Sequence, residues 1–388
     1  MRMTMQYGVF LLCAVPMTDA GAGPPRPVDR RSSNEEVWET TKRVMDVGVE
    51  SERLGYDYFF FTEHHFMHEG YEVIPNALMA GAILAERTES IKIGALCHVV
   101  PQWHPLRFAE DFSTMHNFSG GRGVLAVGRG TVPREAIPLG ATVGSTDDPE
   151  KRAEQDAASR EKFAEAIDVI ELSLNNERFS YHGNHYDFPP EGIPDRGGMV
   201  EELTLTPRPI APYERWQTIT SPKTVELVAR RGYGGVWWNV HLDFMKGMWE
   251  EFARVWEDEH GTELGAGEHR MKVVNVRIAD THEQAVADAR PGFDEHWKFL
   301  GPYGRQVGFK GPDGKPASTD WIPTLEEGMN QRMFLVGTAD EVAEQMAHDI
   351  EVLGANKLAI FPICLGDSYD KYEEQLQRFA QDVKPQLA

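Results

Sequence analysis

Along nearly the whole chain, short apolar runs with strand character alternate with stretches whose apolar residues recur at helical spacing. The first run lies within residues 6–16, ahead of a helix predicted over 34–54 with Val37, Val44 and Gly48 on one stripe. Strands follow at 58–62, 91–100 and 123–128. Between and after them come a helix at 76–86, a helical segment carrying Phe108, Phe112 and Met115, and one aligning Phe163, Ala166, Ile167, Ile170 and Leu174. The rhythm continues through strands at 216–219, 235–238, 271–278 and 358–362, with helices at 222–231, 243–258, 281–289 and 339–353. Thr338 and Glu341 form a capping box at the start of the last helix. Strands alternating with helices require a parallel sheet with right-handed crossovers. Eight such units with no composition break predict one α/β domain over residues 1–388, a single (β/α)8 TIM barrel with insertions and with its function at the C-terminal strand ends.

Two segments break the rhythm. Residues 178–188 read as a small hairpin around His182, Gly183 and Asn184, and residues 291–330 are too rich in Gly and Pro for either element. A stretch of that length in a compact domain is expected to be a mobile lid.

Composition narrows the function. The chain has 39 basic and 61 acidic residues, a formal charge of −22, which disfavours nucleic acid and anionic membranes. A bound phosphate therefore needs a local set of donors. Cys13, Cys97 and Cys364 share no CxxC spacing and lie in apolar runs, which fits reduced thiols and a cytoplasmic location. The opening MRMTMQYGVFLLCAVP has the outline of a leader but no clean cleavage site, and it reads as a buried first strand. No apolar stretch approaches the roughly 18 residues of a membrane span.

Candidate chemistry begins at FFFTEHHF, residues 59–66, where a wholly apolar strand ends in Glu63, His64 and His65. In an extended chain Glu63 and His65 point one way and His64 the other. That parity argues against a shared metal ion, and no metal ligands are assigned. A metal-dependent hydrolase and a purely structural polar strand end remain the alternatives. A second stretch, TSPKTVELVARRG, sets Thr220 and the N-cap Ser221 before a helix with Thr224 in its first turn, an arrangement suited to an anion. Arg129 follows the fourth strand between two glycines, where a guanidinium reaches the same cavity and can chelate a phosphate; a surface salt bridge is the other reading.

Taken together, TEHHF, IKIGALCHVVPQWHPLRFAED, FSGGRGVLAVGRG and SPKTVELVARRG resemble the bacterial luciferase-like family of flavin-dependent monooxygenases. The resemblance implies a TIM barrel binding FMN, as FMNH2 delivered by a separate NAD(P)H-dependent flavin reductase, with O2 as co-substrate. It implies oxygenation of a small hydrophobic organic substrate through a flavin hydroperoxide, and a homodimer built on the early helices. His64 would be the catalytic histidine beside the flavin, flanked by Glu63 and His65. Arg129, Thr220, Ser221 and Thr224 would hold the phosphate, and Leu96 and Cys97 would pass the ring system, often through a non-proline cis peptide. Glu135 matches a position where relatives also carry an acid, and Val132 departs from a common tyrosine. The loop 17–31 is longer than usual and would shape the entrance. Phe10, Phe59, Phe61, Trp103, Trp237 and Trp238 are candidate cavity walls, with ordinary core the alternative for at least half of them. A deazaflavin-dependent oxidoreductase of the same fold and a non-catalytic flavin-binding barrel are the rival readings.

Overall fold

The structure, a computed structural model, describes residues 5–130, 132–144, 148–219 and 221–387. Among the described residues, eight parallel strands form the wall: β1 Gln6–Phe10, β2 Tyr58–Phe61, β3 Lys92–Ala95, β4 Val124–Gly128, β5 Glu214–Thr218, β6 Gly234–Trp237, β7 Arg270–Ile278 and β8 Lys357–Pro362. β8 pairs with β1 and with β7, and a parallel bridge from Ile93 to Gly123 brings β3 against β4. The short strand His98–Val99 continues β3 and pairs with the end of β4. A further strand, Phe334–Gly337, pairs with the outer half of β7. The main helices are α1 Asn34–Arg53, α2 Ala77–Ala85, α3 Pro105–Phe118, α4 Pro149–Asn175, α5 Pro222–Arg230, α6 Leu242–His260, α7 His282–Leu300 and α8 Ala339–Leu353. The TIM barrel expected from the alternation is the observed architecture.

Strand parity sorts the side chains into two cores. Val9, Phe59, Phe61, Ile93, Leu125 and Val127 point outward against the helices, while Phe10, Phe60, Ala126, Trp216 and Phe361 fill the barrel. The N-terminal end is plugged by Glu214, which accepts from Tyr58 Oη at 3.1 Å and Trp216 Nε1 at 2.9 Å and pairs with Lys92. The opposite end is left to open into a cavity.

Residues 178–188 do contain a hairpin, Tyr181–His182 against Asp187–Phe188. The lid segment carries more regular structure than its composition predicts. α7 does not stop near residue 289 but runs through Pro291 to Leu300, followed by 3-10 turns at Gly301–Tyr303 and Arg305–Gly308 and a helix at Leu325–Asn330. Pro291 is tolerated because it and Ala287 both face solvent, so water can meet the carbonyl that loses its N–H. The long first connection is anchored to α7 by ions. Arg30 pairs with Glu295 at 2.8 Å and with Asp19 at 2.8 Å, while Lys298 pairs with the same Glu295 at 2.7 Å and the Gly21 N–H donates to it at 3.0 Å.

Candidate active site

The C-terminal strand ends enclose a cavity of about 810 Å³, within the roughly 300–1,000 Å³ of small-molecule sites. One end is cationic and hydroxyl-lined. Arg129, Arg160, Ser221, Lys223 and Thr224 all border it. Ser221 stands at the N-cap of α5, yet its hydroxyl meets Thr224 Oγ1 at 3.0 Å instead of a first-turn N–H. The helix N-terminus is therefore left without a side-chain cap on the cavity side, where donors and the positive dipole end favour an anion. Arg129 is oriented by Asp156 at 3.1 Å and Ser159 at 3.2 Å on α4. Thr220 lies outside the described residues.

The other end is apolar, walled by Phe10, Leu96, Trp238, Val273, Phe299 and Leu300. Of the aromatic walls expected from sequence, Phe10 and Trp238 reach the cavity. Phe59, Phe61 and Trp237 instead pack in the outer core because strand parity turns them away. Trp103 is also absent from the lining and donates Nε1–H to Glu63 at 2.7 Å. Trp238 is held by its indole N–H on Asn275 Oδ1 at 2.9 Å; Asn275 in turn donates to Asn239. The Leu96–Cys97 peptide is cis, and both residues line the cavity. Burial pushes the Cys97 thiol up to about 11, so it stands there as a neutral S–H at ordinary pH. Gly128 makes room for it: a Cβ there would stand 2.0 Å from Cys97 Sγ.

Between the two ends sit the residues that follow β2. Glu63 is 1% exposed and accepts from Trp103, from His98 Nδ1 at 3.2 Å and from the Val99 N–H at 3.3 Å, locking the β2 end onto the strand beside it. Burial alone would raise its pKa, but these donors and the His65 and His98 rings outweigh it and hold the carboxyl at about 2. His65 lies 3.9 Å from Glu63 and outside the cavity lining, whereas Glu63 and His64 both border the cavity, so the alternation expected of an extended chain does not continue past the strand end at Phe61. His64 is flanked by two buried carboxylates, Glu135 Oε1 at 2.8 Å from Nδ1 and Glu72 Oε2 at 2.9 Å from Nε2. Burial opposes the imidazolium, yet the two acids outweigh it and raise the pKa to about 10. Glu72 sits in an aperiodic loop after β2, and Arg305, facing Glu72 and Cys97 from a Gly-rich turn, carries no pattern either. No local signal could have singled out these two.

The model of the luciferase-like monooxygenases matches residues 5–357. The chain belongs to that family. Among luciferase-like relatives, it is 34% identical to the alkanal monooxygenase alpha chain of Photobacterium leiognathi, over 92% of this chain and 95% of that one. It is 23% identical to the 3,6-diketocamphane 1,6-monooxygenase of Pseudomonas putida, over 90% and 94%. In structure it resembles the FMN-complexed oxygenating constituent of the Pseudomonas putida 3,6-diketocamphane monooxygenase, with a TM-score of 0.72 at 21% identity over 99% of both chains. An F420-dependent secondary alcohol dehydrogenase shares the fold as well, with a TM-score of 0.64 at 14% identity over 100% of both.

Proposed function

We propose that the protein is an FMN-dependent monooxygenase that uses reduced FMN and O2 to oxygenate a small hydrophobic organic molecule. The observation that carries this reading is the two-ended cavity: an uncapped helix N-terminus with Arg129, Ser221 and Thr224 at one end and aromatic walls at the other. Those residues fit a flavin mononucleotide, because the cradle supplies charged and neutral donors to a phosphate and the cis Leu96–Cys97 turn borders the space for a flat ring. Bound reduced FMN would supply the activation of O2. The protein's part is to bind, enclose and move protons. Arg129, Thr220, Ser221 and Thr224 would hold the phosphate. Phe10, Trp238, Phe299 and Leu300 exclude water around the reacting centre and favour an apolar substrate. His64 would be the proton-holding group of the site, Glu63 would fix the β2 end that presents it, and His65 would support Glu63 from outside the cavity.

The sequence contains no GxGxxG dinucleotide motif, so reduced FMN would come from a separate NAD(P)H-dependent flavin reductase. Exposed Trp38 on α1 and exposed Met79 and Ile83 on α2 favour a homodimer through these helices. The reduced thiols favour a cytoplasmic location. The test is anaerobic titration of the purified protein with photoreduced FMN, and in parallel with reduced deazaflavin F420, followed by mixing with oxygenated buffer. Tight FMN binding with rapid oxygen uptake by the complex is expected. Binding of F420 alone, or of neither, overturns the reading.

A further inference from the structure

His64 has no ring nitrogen left for a ligand. Glu135 occupies Nδ1 and Glu72 occupies Nε2, from opposite sides, and both acids are buried at 1% and 3% exposure. The two contacts are not equivalent. Nδ1 and Glu135 make an aligned hydrogen bond. Glu72 Oε2 is at ion-pair distance from Nε2 but without hydrogen-bond alignment, and it is sealed from solvent. Glu72 nevertheless lines the cavity, which leaves Oε1 as the oxygen turned toward it.

Charge decides how protons are shared here. Two carboxylates share one imidazolium in a place with little water to solvate them, and the Arg305 guanidinium faces Glu72 as the second cation. Glu135, with the aligned charge-assisted bond, is the better counter-ion. Glu135 is therefore the partner that holds the His64 imidazolium, and burial favours the acid form at Glu72. The other groups facing Glu72 are Cys13, Tyr303 and Arg305. Arg305 favours the carboxylate of Glu72, whereas burial and Glu135 favour its acid form, and the net direction is upward. Arg134 and Glu69 lie behind Tyr303 and pair with each other at 2.7 Å.

We propose that Glu72 is the residue through which protons pass between His64 and the molecule bound in the cavity, with Glu135 as the fixed counter-charge that holds the imidazole. In one transfer, a small rotation of the Glu72 carboxyl aligns Oε2 with Nε2–H, 2.9 Å away, and Glu72 Oε1 gives its proton to an anionic acceptor in the cavity while Nε2 gives its own to Oε2. His64 ends neutral, Glu72 ends protonated as it began, the acceptor is neutralised, and no electrons move. The identity of the acceptor rests on the monooxygenase reading; the placement of the protons does not.

Two measurements on the full chain test this. The infrared difference between wild type and Glu72→Gln at neutral pH is expected to show loss of a carboxylic-acid C=O band, with His64 still an imidazolium by ¹⁵N NMR. Loss of carboxylate bands instead overturns the proposal. In single-turnover oxidation of bound reduced FMN by O2, Glu72→Gln is expected to slow the proton-dependent phase at least about tenfold and to flatten its pH profile. FMN affinity should change less than about twofold, and Glu72→Asp should restore most of the rate. A wild-type rate and pH profile in Glu72→Gln overturns the proposal. Failure of reduced FMN to bind would sink the monooxygenase reading alone, since the infrared result still decides where the proton resides.

Discussion

Replacing Glu63 by glutamine probes the joint that presents His64. The carboxylate accepts from Trp103 Nε1 at 2.7 Å, His98 Nδ1 at 3.2 Å and the Val99 N–H at 3.3 Å while being 1% exposed. Against burial, these donors and the neighbouring rings hold its pKa at about 2, below the ordinary 4.5. A group with a depressed folded-state pKa adds stability that is complete above its unfolded value and lost as the pH falls through the folded one. At about 1.4 kcal/mol per unit, the gap is worth about 3 kcal/mol at pH 7, of which about 2 kcal/mol has gone by about pH 3. Glutamine keeps the shape but cannot titrate, and its NH2 group would meet donors. Glu63→Gln is therefore expected to lose about 3 kcal/mol at pH 7, with the deficit shrinking to about 1 kcal/mol near pH 3. Urea denaturation of both proteins, followed by tryptophan fluorescence at stepped pH, measures the gap directly. A gap that stays constant from pH 7 to about pH 3 would falsify the account of Glu63 as an ionised, donor-saturated acid.

Arg129→Ala is expected to raise the dissociation constant for reduced FMN about 10- to 100-fold with the melting temperature little changed, as for loss of one hydrogen bond to a charged group. An unchanged constant in an anaerobic fluorescence titration removes Arg129 from the phosphate cradle. Gly128→Ala places a Cβ 2.0 Å from Cys97 Sγ and is expected to cost about 1–3 kcal/mol. Adding Cys97→Ala should recover part of that loss in thermal melts, and strictly additive single effects would contradict the contact.

The fold was legible because periodicity reports burial directly. The runs YFFF and VLAVG could only be strands buried on both faces, and α5 carries its buried Val225, Val228 and Ala229 on one stripe. Legibility failed where composition competes with context. Pro291 looked like a stop, but its face is solvent, and the helix Tyr369–Arg378 was overlooked although Tyr369, Tyr372 and Leu376 are buried on one side. At the site, parity separated His64 from His65 but also turned Glu63 away, whereas Glu63 borders the cavity beside His64 because the strand has ended at Phe61. Parity could not supply Glu72, which the chain brings back from a loop, or the exchange of Ser221 from backbone cap to partner of Thr224. The aromatic residues show the same limit, since Phe59 and Phe10 look alike in sequence and only their position in the pleat sends one to the helices and the other to the cavity.

The ion cluster on Glu295 has a mechanical consequence. Arg30 is 8% exposed and Glu295 is fully buried, so separating them breaks a desolvated pair and leaves Glu295 with Lys298 as its remaining cation. The 17–31 loop and the final turn of α7 therefore share one opening free energy and cannot fray independently. Tyr71, which donates to the same carboxylate, stacks on Phe299 with ring centroids 4.7 Å apart, and Phe299 stands edge-on to His64 at 6.3 Å. Amide hydrogens of the loop and of the α7 terminus should exchange with solvent at a common rate, as one cooperative block. Access to the proton-bearing cluster is thereby coupled to a charge pair that never touches it.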